Sequence, residues 1–422
     1  MGLENKIEDR SAAVGVLGLG YVGLPLVATI AKAGFQVTGF DTNNQKVDSV
    51  NAGHSYIADL PSEGLSELVK SDRVSASTNM QSLAEIDVIC ICVPTPLSKT
   101  KTPDISSIIA AAHSIAEYSR PNQLIVLEST TYPGTTREVL LPLLEAVGLK
   151  VGYDFFLAFS AERVDPGNTI YHTGNTPKVV GGITDNCKSM TTLFYKKFVD
   201  EVHQVSSASA AESVKLLENT FRAVNIALVN EFSQMCDKMG LDVWEIVDAA
   251  ATKPFGYMPF YPGPGLGGHC IPIDPHYLAW KSRLHGHSPR FIDLASEINS
   301  AMPSYVVNKI ANRLNQDRLA INGSFLLVIG VSYKPDVADT RESPAIEVIN
   351  QLAERGANVC YHDPLVHEVN TEHGLYRSQS LNTQDLKNVD CIVVLTNHSS
   401  IDYEKIKKYM HKVIDTRDSF TK

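Results

Sequence analysis

The sequence has no C-x-x-C pair, and its seven cysteines (Cys90, Cys92, Cys187, Cys236, Cys270, Cys360 and Cys391) are an odd number. This argues against a zinc ribbon or a disulfide framework and fits unbridged thiols in a reducing, cytoplasmic compartment. Positive charge is in deficit. The 37 Lys and Arg stand against 47 Asp and Glu, a net charge of −10 with no basic block. A broad surface for nucleic acid or an anionic membrane is therefore not expected, and any bound phosphate belongs in a local pocket. Uninterrupted hydrophobic runs are scarce as well. Ala12–Ala31 is 20 uncharged residues, long enough for a bilayer, but it is broken by Gly15, Gly18, Gly20, Gly23 and Pro25. No small-residue cleavage site follows the mixed-charge leader, and Lys6 stands where a myristoylation signal at Gly2 needs Ser or Thr. What is present, 422 residues with 44% hydrophobic and 20% charged, suffices for two or three globular domains.

The apolar runs predict an α/β chain: two Rossmann-like, doubly wound parallel-sheet domains joined by a long central helix. The expected boundaries are 1–205, 206–315 and 316–422. In the first block, strands are predicted at Ala13–Leu17, Gln36–Phe40, Asp87–Val93, Leu124–Glu128 and Phe155–Phe159. Each is short, rich in Val, Ile, Leu or Phe, and closed by Gly, Pro or a polar residue, as strands buried on both faces are. From Ser206 to Met239 there is no Gly or Pro, and Leu216, Leu217, Thr220, Val224, Leu228 and Phe232 form a helical stripe that Gly240 can end. A helix this long suits a connector or a subunit interface, so a homodimer or higher homo-oligomer is expected. The third block echoes the first. Val14–Leu17 leads to Gly18, a helix, Gly34 and a strand ending at Asp41; Leu326–Ile329 leads to Gly330, a helix, Gly356 and a strand ending at Asp363. Asp390–Leu395 then matches Asp87–Val93. Two related sheets are the economical reading.

Gly18-Leu19-Gly20-Tyr21-Val22-Gly23 is G-x-G-x-x-G between a predicted strand and a predicted helix, with Asp41 at the end of the next strand, 18 residues after Gly23. This context points to a dinucleotide. Gly18 allows the turn, Gly20 the approach of a pyrophosphate, and Gly23 close helix packing, while the helix N-terminus offers its amides to the anion. Asp41 would hold the adenosine ribose and repel a 2′-phosphate, which favours NAD over NADP; Lys46 can reach the same region. The third block lacks the loop, but Lys334 and Arg341 flank an inserted stretch, 334–343, suited either to a second phosphate-bearing ligand or to solvent.

Chemistry concentrates at residues 260–275, which hold four prolines and four glycines. Cys270 follows a double glycine, as a nucleophile presented by a turn would, and Asp274 comes four residues later. A buried inert thiol and a zinc set of His269, Cys270, Asp274 and His276 are the other readings. Lys215 and Asn219, four apart, share a helix face and could move a proton or hold an oxyanion; a plain surface lysine is the alternative. Val93–Pro96 with Thr95, Glu128–Gly134 and Ser160–Gly167 follow predicted strands, where open α/β sheets gather ligand groups.

These segments resemble the NAD-dependent nucleotide-sugar 6-dehydrogenases: GLGYVGLP at 18–25, STTYPGT at 129–135, AERVDPG at 161–167, KLLEN at 215–219, GLGGHCIPIDP at 265–275 and YKPDVADTRESPA at 333–345. Within that family the resemblance is nearest to the UDP-N-acetylglucosamine 6-dehydrogenases, through ATKPFG at 251–256 and the Cys loop. It implies NAD, a UDP-sugar substrate and a four-electron oxidation at C6 through an aldehyde, a thiohemiacetal and a thioester on Cys270. By the same resemblance Lys215 stabilises an oxyanion or shuttles protons. Asp274 orients Lys215 or activates water, and Glu162 and Thr131 assist hydrolysis. Asn219, Lys334, Arg163, Tyr261, Gly267 and Gly268 meet the substrate. Gly18, Gly20, Tyr21, Val22, Gly23, Asp41, Lys46, Pro94, Thr95, Thr131 and Arg341 meet the cofactor. Two departures from the UDP-glucose enzymes favour a 2-acetamido sugar, with UDP-N-acetylmannosamine, UDP-N-acetylgalactosamine and UDP-glucose as the alternative substrates. Pro166 replaces their second glutamate, and residues 253–264 lack the arginine they lend to a partner subunit. A two-electron β-hydroxyacid dehydrogenase shares the dinucleotide loop and the Lys/Asn pair but needs neither Cys270 nor the third block. An NAD-responsive binding protein is a reading from a different class.

Overall fold

The computed structural model describes residues 2–420 apart from Ala58, Asp59, Lys99, Pro166, Thr169 and His269, with the backbone alone at 383–385. Contacts divide the chain into two compact units, Met1–Glu218 with His276–His287, and Asn219–Pro275 with Ser288–Lys422.

The first unit is built on an eight-stranded sheet of β1 (Ala13–Leu17), β2 (Gln36–Phe40), β3 (Val74–Ser77), β4 (Val88–Ile91), β5 (Gln123–Leu127), β6 (Phe155–Phe159), β7 (Lys178–Gly182) and β8 (Val202–Gln204). The spatial order is β3-β2-β1-β4-β5-β6-β7-β8. Neighbours run parallel except β6 and β7, which are antiparallel with Ala158 opposite Gly182 and Phe159 opposite Gly181. Alternate residues of each strand feed two cores. Val14, Val16, Val88, Cys90, Leu124 and Val126 face one side; Ile89, Ile91, Ile125, Leu127, Leu157 and Phe159 face the other. Burial on both faces explains why these strands read as unbroken apolar runs. The order reverses between β1 and β4, so their carboxyl ends flank the crevice where such sheets bind ligands.

The expected strand at Asp87–Val93 is trimmed to Val88–Ile91, because Asp87 has another task. Its carboxylate accepts from Lys6 at 2.8 Å, Arg120 at 2.7 Å and the Ala13 amide at 3.0 Å, closing the sheet edge. The uncharged stretch Ala12–Ala31 resolves into β1, the glycine turn and the helix Gly23–Lys32. Among the described residues no helix is long and apolar enough to cross a membrane.

The long helix spans Ala208–Met239 and ends at Gly240, whose φ of +70° a residue with a Cβ rarely adopts. The second unit holds a parallel sheet of β9 (Phe325–Ile329), β10 (Asn358–His362), β13 (Cys391–Val394) and β14 (Val413–Asp415) in the order β10-β9-β13-β14. A separate antiparallel hairpin, β11 (Glu368–Thr371) with β12 (Gly374–Arg377), completes it.

The echo between the two sheets is geometric. Gly18 donates its amide to Phe40 O at 2.7 Å, and Asp41 Oδ2 accepts the Leu19 amide at 2.9 Å. Gly330 donates to His362 O at 2.8 Å, and Asp363 Oδ2 accepts the Val331 amide at 2.8 Å. The following helices differ: one starts at Gly23, the other only at Pro344, where the Ser343 side chain caps it. The insertion between Gly330 and Pro344 therefore replaces a phosphate loop with a longer shaped segment.

Candidate active site

In the first unit the beginning of the long helix collects the strand-end loops. Glu212 is buried and accepts from the Gly134 amide at 2.5 Å, the Thr136 amide at 2.8 Å and the Thr136 hydroxyl at 2.6 Å. This pins the turn after β5 to the helix. Two turns along, Glu218 receives Arg163 through Nε at 3.2 Å and Nη2 at 2.5 Å, while Arg163 Nη1 donates to Pro177 O at 2.7 Å. The Arg163 fork is thus spent inside the protein, where it fixes the loop that carries Glu162. Lys215 lies between Glu212 and Glu218 in sequence, half-buried, and its charge acts on Glu162.

Thr131, almost fully buried, bonds Thr135 through their hydroxyls at 2.7 Å, and Thr135 donates to Tyr132 O at 2.8 Å. A hydroxyl has one proton. Thr135 spends its own on Tyr132, so Thr131 donates to Thr135 and keeps only acceptor capacity. Pro94 and Thr95 follow β4, exposed and half-buried respectively.

Glu162 belongs to a buried cluster that sequence reasoning missed. Its Oε1 accepts the amides of Arg163 at 2.8 Å and Val164 at 3.1 Å; its Oε2 accepts from Lys178 at 3.1 Å. Lys178, 1% exposed, also donates to Glu128 at 2.5 Å, and the Tyr195 hydroxyl donates to the other Glu128 oxygen. Burial alone pushes the Glu162 carboxyl up, but the Lys178 charge and the Arg163 amide outweigh it and leave it below the usual range. Glu128 goes the other way: its burial exceeds the help from Lys178, and its carboxyl sits above the ordinary value. The missed signal was a strand whose first residue is a buried lysine.

In the second unit Asn219 donates its side-chain amide to Asp274 Oδ2 at 2.5 Å, both groups being buried. The Asp274 amide in turn donates to Cys270 O at 2.8 Å, so the half-buried Cys270 sits on a turn anchored by this pair. Asp274, expected to orient Lys215 or to activate water, has Asn219 as one of its partners. Gly267 and Gly268 face Tyr333 of the inserted stretch: a Cβ at either would lie 2.6 Å or 2.9 Å from that side chain. The Gly268 amide donates to Arg341 O at 3.1 Å. These two glycines let the Cys loop lie against Tyr333. Arg341 forks onto Asp339, with Nη2 at 2.6 Å. Lys334 is half-buried, and its carbonyl accepts the Ser332 hydroxyl at 3.2 Å. Tyr261 donates to Asp248 at 2.6 Å and stacks on Trp244. None of the seven cysteines forms a disulfide. The zinc reading needs His269, which lies outside the described residues, as does Pro166; among the described residues no three His, Cys, Asp or Glu are grouped to hold a metal.

Three models of one protein family match most of the chain. Residues 12–199 match the NAD binding domain of the UDP-glucose/GDP-mannose dehydrogenase family, 209–301 its central domain and 327–422 its UDP binding domain. The chain belongs to that family. It is 37% identical over 400 residues to a UDP-N-acetyl-D-mannosamine dehydrogenase of Methanococcus maripaludis, covering 93% of this chain and 87% of that one. A UDP-N-acetyl-D-glucosamine 6-dehydrogenase of Pseudomonas aeruginosa is 32% identical over 416 residues, 97% of each chain. The solved UDP-D-ManNAc dehydrogenase of Pyrococcus horikoshii superimposes with a TM-score of 0.88 at 31% identity, covering 97% of this chain and 96% of that one.

As a member of this family the protein is an NAD-dependent UDP-sugar dehydrogenase, and its glycine loop fits a dinucleotide. A Cβ on Gly20 would meet nothing within 4 Å, which leaves room for a pyrophosphate. No side chain caps the helix that starts at Gly23; the Leu24 amide donates to Gly20 O at 3.1 Å and Pro25 has no amide proton to offer. Gly18 has φ +93° and would place a Cβ 2.5 Å from Cys92 O; a Cβ on Gly23 would overlap Gly18 O. Tyr21 is exposed and Val22 half-buried at the mouth of this loop. Asp41 holds the loop through Leu19 and takes Lys46 at 3.2 Å, so Lys46 offsets part of the acid that disfavours a 2′-phosphate.

Proposed function

We propose that this dehydrogenase oxidises C6 of a UDP-2-acetamido sugar by four electrons, converting UDP-N-acetyl-D-glucosamine to UDP-N-acetyl-D-glucosaminuronic acid. The observation that carries the reading is the Asn219–Asp274 bond beneath the Cys270 turn. It commits two buried polar side chains to presenting a thiol, and a two-electron alcohol oxidation has no use for a thiol.

Gly18, Gly20, Tyr21, Val22, Gly23, Asp41, Lys46, Pro94, Thr95, Thr131 and Arg341 would hold NAD, which would supply the hydride acceptor for each of the two oxidations. The chain's own groups do the rest. Lys215, carrying its charge, shuttles the C6 hydroxyl proton to water and stabilises the oxyanion at C6. Cys270 Sγ bonds to C6 as the C=O π bond opens, the thiol proton passing by way of Lys215 to the oxygen, and this creates the tetrahedral C–H that the second oxidation requires. In the last step water attacks the thioester, its proton passes to Glu162 and on to the Cys270 sulfur as the C–S bond breaks, and the thiol is restored. Thr131, with lone pairs to offer and no proton, accepts from that water. Asn219 and Lys334 hold the substrate, with Tyr261, Gly267 and Gly268 beside it. Arg163 acts through the loop of Glu162.

A second reading, UDP-N-acetyl-D-mannosamine, is favoured by the higher identity to the Methanococcus enzyme. One experiment separates these. The purified protein is given NAD and either UDP-N-acetylhexosamine, and NADH is counted per sugar consumed. Two per sugar with an acidic product is the expected result, and the sugar consumed fixes the configuration at C2. One per sugar would refute the thioester route and leave a simple alcohol dehydrogenase. No NADH with any nucleotide sugar, despite NAD binding, would leave a binding protein.

A further inference from the structure

Lys178 begins β7, the strand that runs against β6. An antiparallel strand begins at the edge where its parallel neighbours end. Lys178 is thereby delivered to the carboxyl edge of the sheet, between Glu128, which follows β5, and Glu162, which follows β6. One ammonium lies between two carboxylates, 2.5 Å from one and 3.1 Å from the other, and it also reaches Ala161 O at 3.4 Å. Nothing in the reaction above uses Lys178, Glu128 or Tyr195. A buried lysine costs several kcal/mol of desolvation on its own, so its retention at this spot calls for a reason.

We propose that Lys178 is a positioning residue for Glu162: it fixes one carboxylate oxygen and supplies the balancing charge that keeps Glu162 a base for the hydrolytic step. This rests on the reading of Glu162 given above. The orientation follows from the bonds. Lys178 and the amides of Arg163 and Val164 hold Glu162 from both oxygens. The charges facing Glu162 are Lys178 from β7, Lys215 from the long helix and Glu128 beyond Lys178, with the buried thiols Cys90 and Cys92 of the β4 edge and the Tyr195 hydroxyl behind them. The Arg163 guanidinium is turned to Glu218. With both glutamates ionised the triad carries one negative charge too many. Burial raises the Glu128 carboxyl above its ordinary value, while Lys178 and the Arg163 amide hold Glu162 below its own. Glu128 and Tyr195 thus tune the lysine, and the lysine tunes the base.

The test follows hydrolysis of the acyl-enzyme between pH 4 and 8. It uses rapid acid quench and intact-mass detection of the adduct on Cys270, with whichever UDP-N-acetylhexosamine is turned over. Lys178→Met should make the adduct accumulate, slow hydrolysis at least about tenfold near neutrality, and move the acid limb up by about one pH unit or more. Lys178→Arg should restore much of both, and KM should change less than kcat. Glu128→Gln removes a negative neighbour and should move the limb to lower pH; it also serves if Lys178→Met fails to fold. A uniform loss in Lys178→Met with the limb unmoved, or an unmoved limb in Glu128→Gln, overturns the proposal. Glu162→Gln separates the two levels. If it hydrolyses the adduct at the parent rate, Glu162 is not the base and the underlying reading falls. If it is slow while both neighbours leave the limb in place, only the role of Lys178 falls.

Discussion

Asp363→Asn should loosen the segment that carries Lys334. The Asp363 carboxylate is buried at the end of β10. Its Oδ2 accepts the amides of Val331 at 2.8 Å and Ser332 at 3.2 Å, and its Oδ1 accepts those of Leu365 and Val366, both at 2.9 Å. His398 Nδ1 accepts the Asp336 amide at 3.0 Å, so the ring proton sits on Nε2, which faces Asp363 Oδ2 at 3.1 Å. Burial by itself pushes this carboxyl up. The His398 bond and the amides of Val331 and Leu365 outweigh it and hold the pKa at about 2, against an ordinary 3.8. At about 1.4 kcal/mol per pH unit that difference stabilises the fold by about 2 kcal/mol. The folded value is depressed, so this contribution is complete above about pH 4 and is lost as the pH falls through about 2. Asparagine keeps the shape but turns an NH2 toward donors, and a further buried bond is lost with the charge. The expected destabilisation at pH 7 is about 2–4 kcal/mol. Trp244 lies in the second unit and Trp280 in the first, so urea unfolding in a Trp280→Phe background reports the second unit by fluorescence. The midpoint should drop by about 1–2 M, the gap to the parent should close below about pH 4, and KM for the UDP-sugar should rise more than kcat falls. A variant within about 0.5 kcal/mol of the parent at pH 7, or a gap that stays constant down to pH 3, would refute the reasoning.

Gly23→Ala forces a methyl into Gly18 O; at about 1–3 kcal/mol of overpacking, NAD affinity should fall about ten- to hundredfold by calorimetry, and unchanged affinity would contradict the loop geometry. Asn219→Ala takes a donor from buried Asp274; a loss of about 1–3 kcal/mol in stability, with slower NADH formation at saturating substrate, is expected. An Asn219→Ala protein that melts and turns over like the parent would show that the Cys270 turn stands without it.

The glycine loop, its answering Asp41 and the Cys270 turn were all legible in the sequence, because each needs a residue type that nothing else supplies at that spacing. Gly23 has no room for a Cβ, and the end of the long helix at Gly240 needs its positive φ. The repeat of β1 and β2 in β9 and β10 was legible for the same reason: an aspartate closing the second strand binds the amide after the first, Leu19 in one sheet and Val331 in the other. β3, β7, β8 and the β11–β12 hairpin were not legible. VSAS and KVVGG lack the apolar length of a buried strand, and their pairing energy comes from neighbours far along the chain.

The largest difference lies in direction. A sequence shows that a lysine precedes Val179 and Val180, but not which way their strand runs. Only the reversal of β7 against β6 places Lys178 opposite Glu162, since strand polarity is set by long-range pairing and not by local preference. The same holds for Asn219 and Asp274, 55 residues apart. The sequence by itself determined which groups were available for the chemistry; the tertiary structure decided which of them touch, because charge balance in a buried site is a property of neighbours in space.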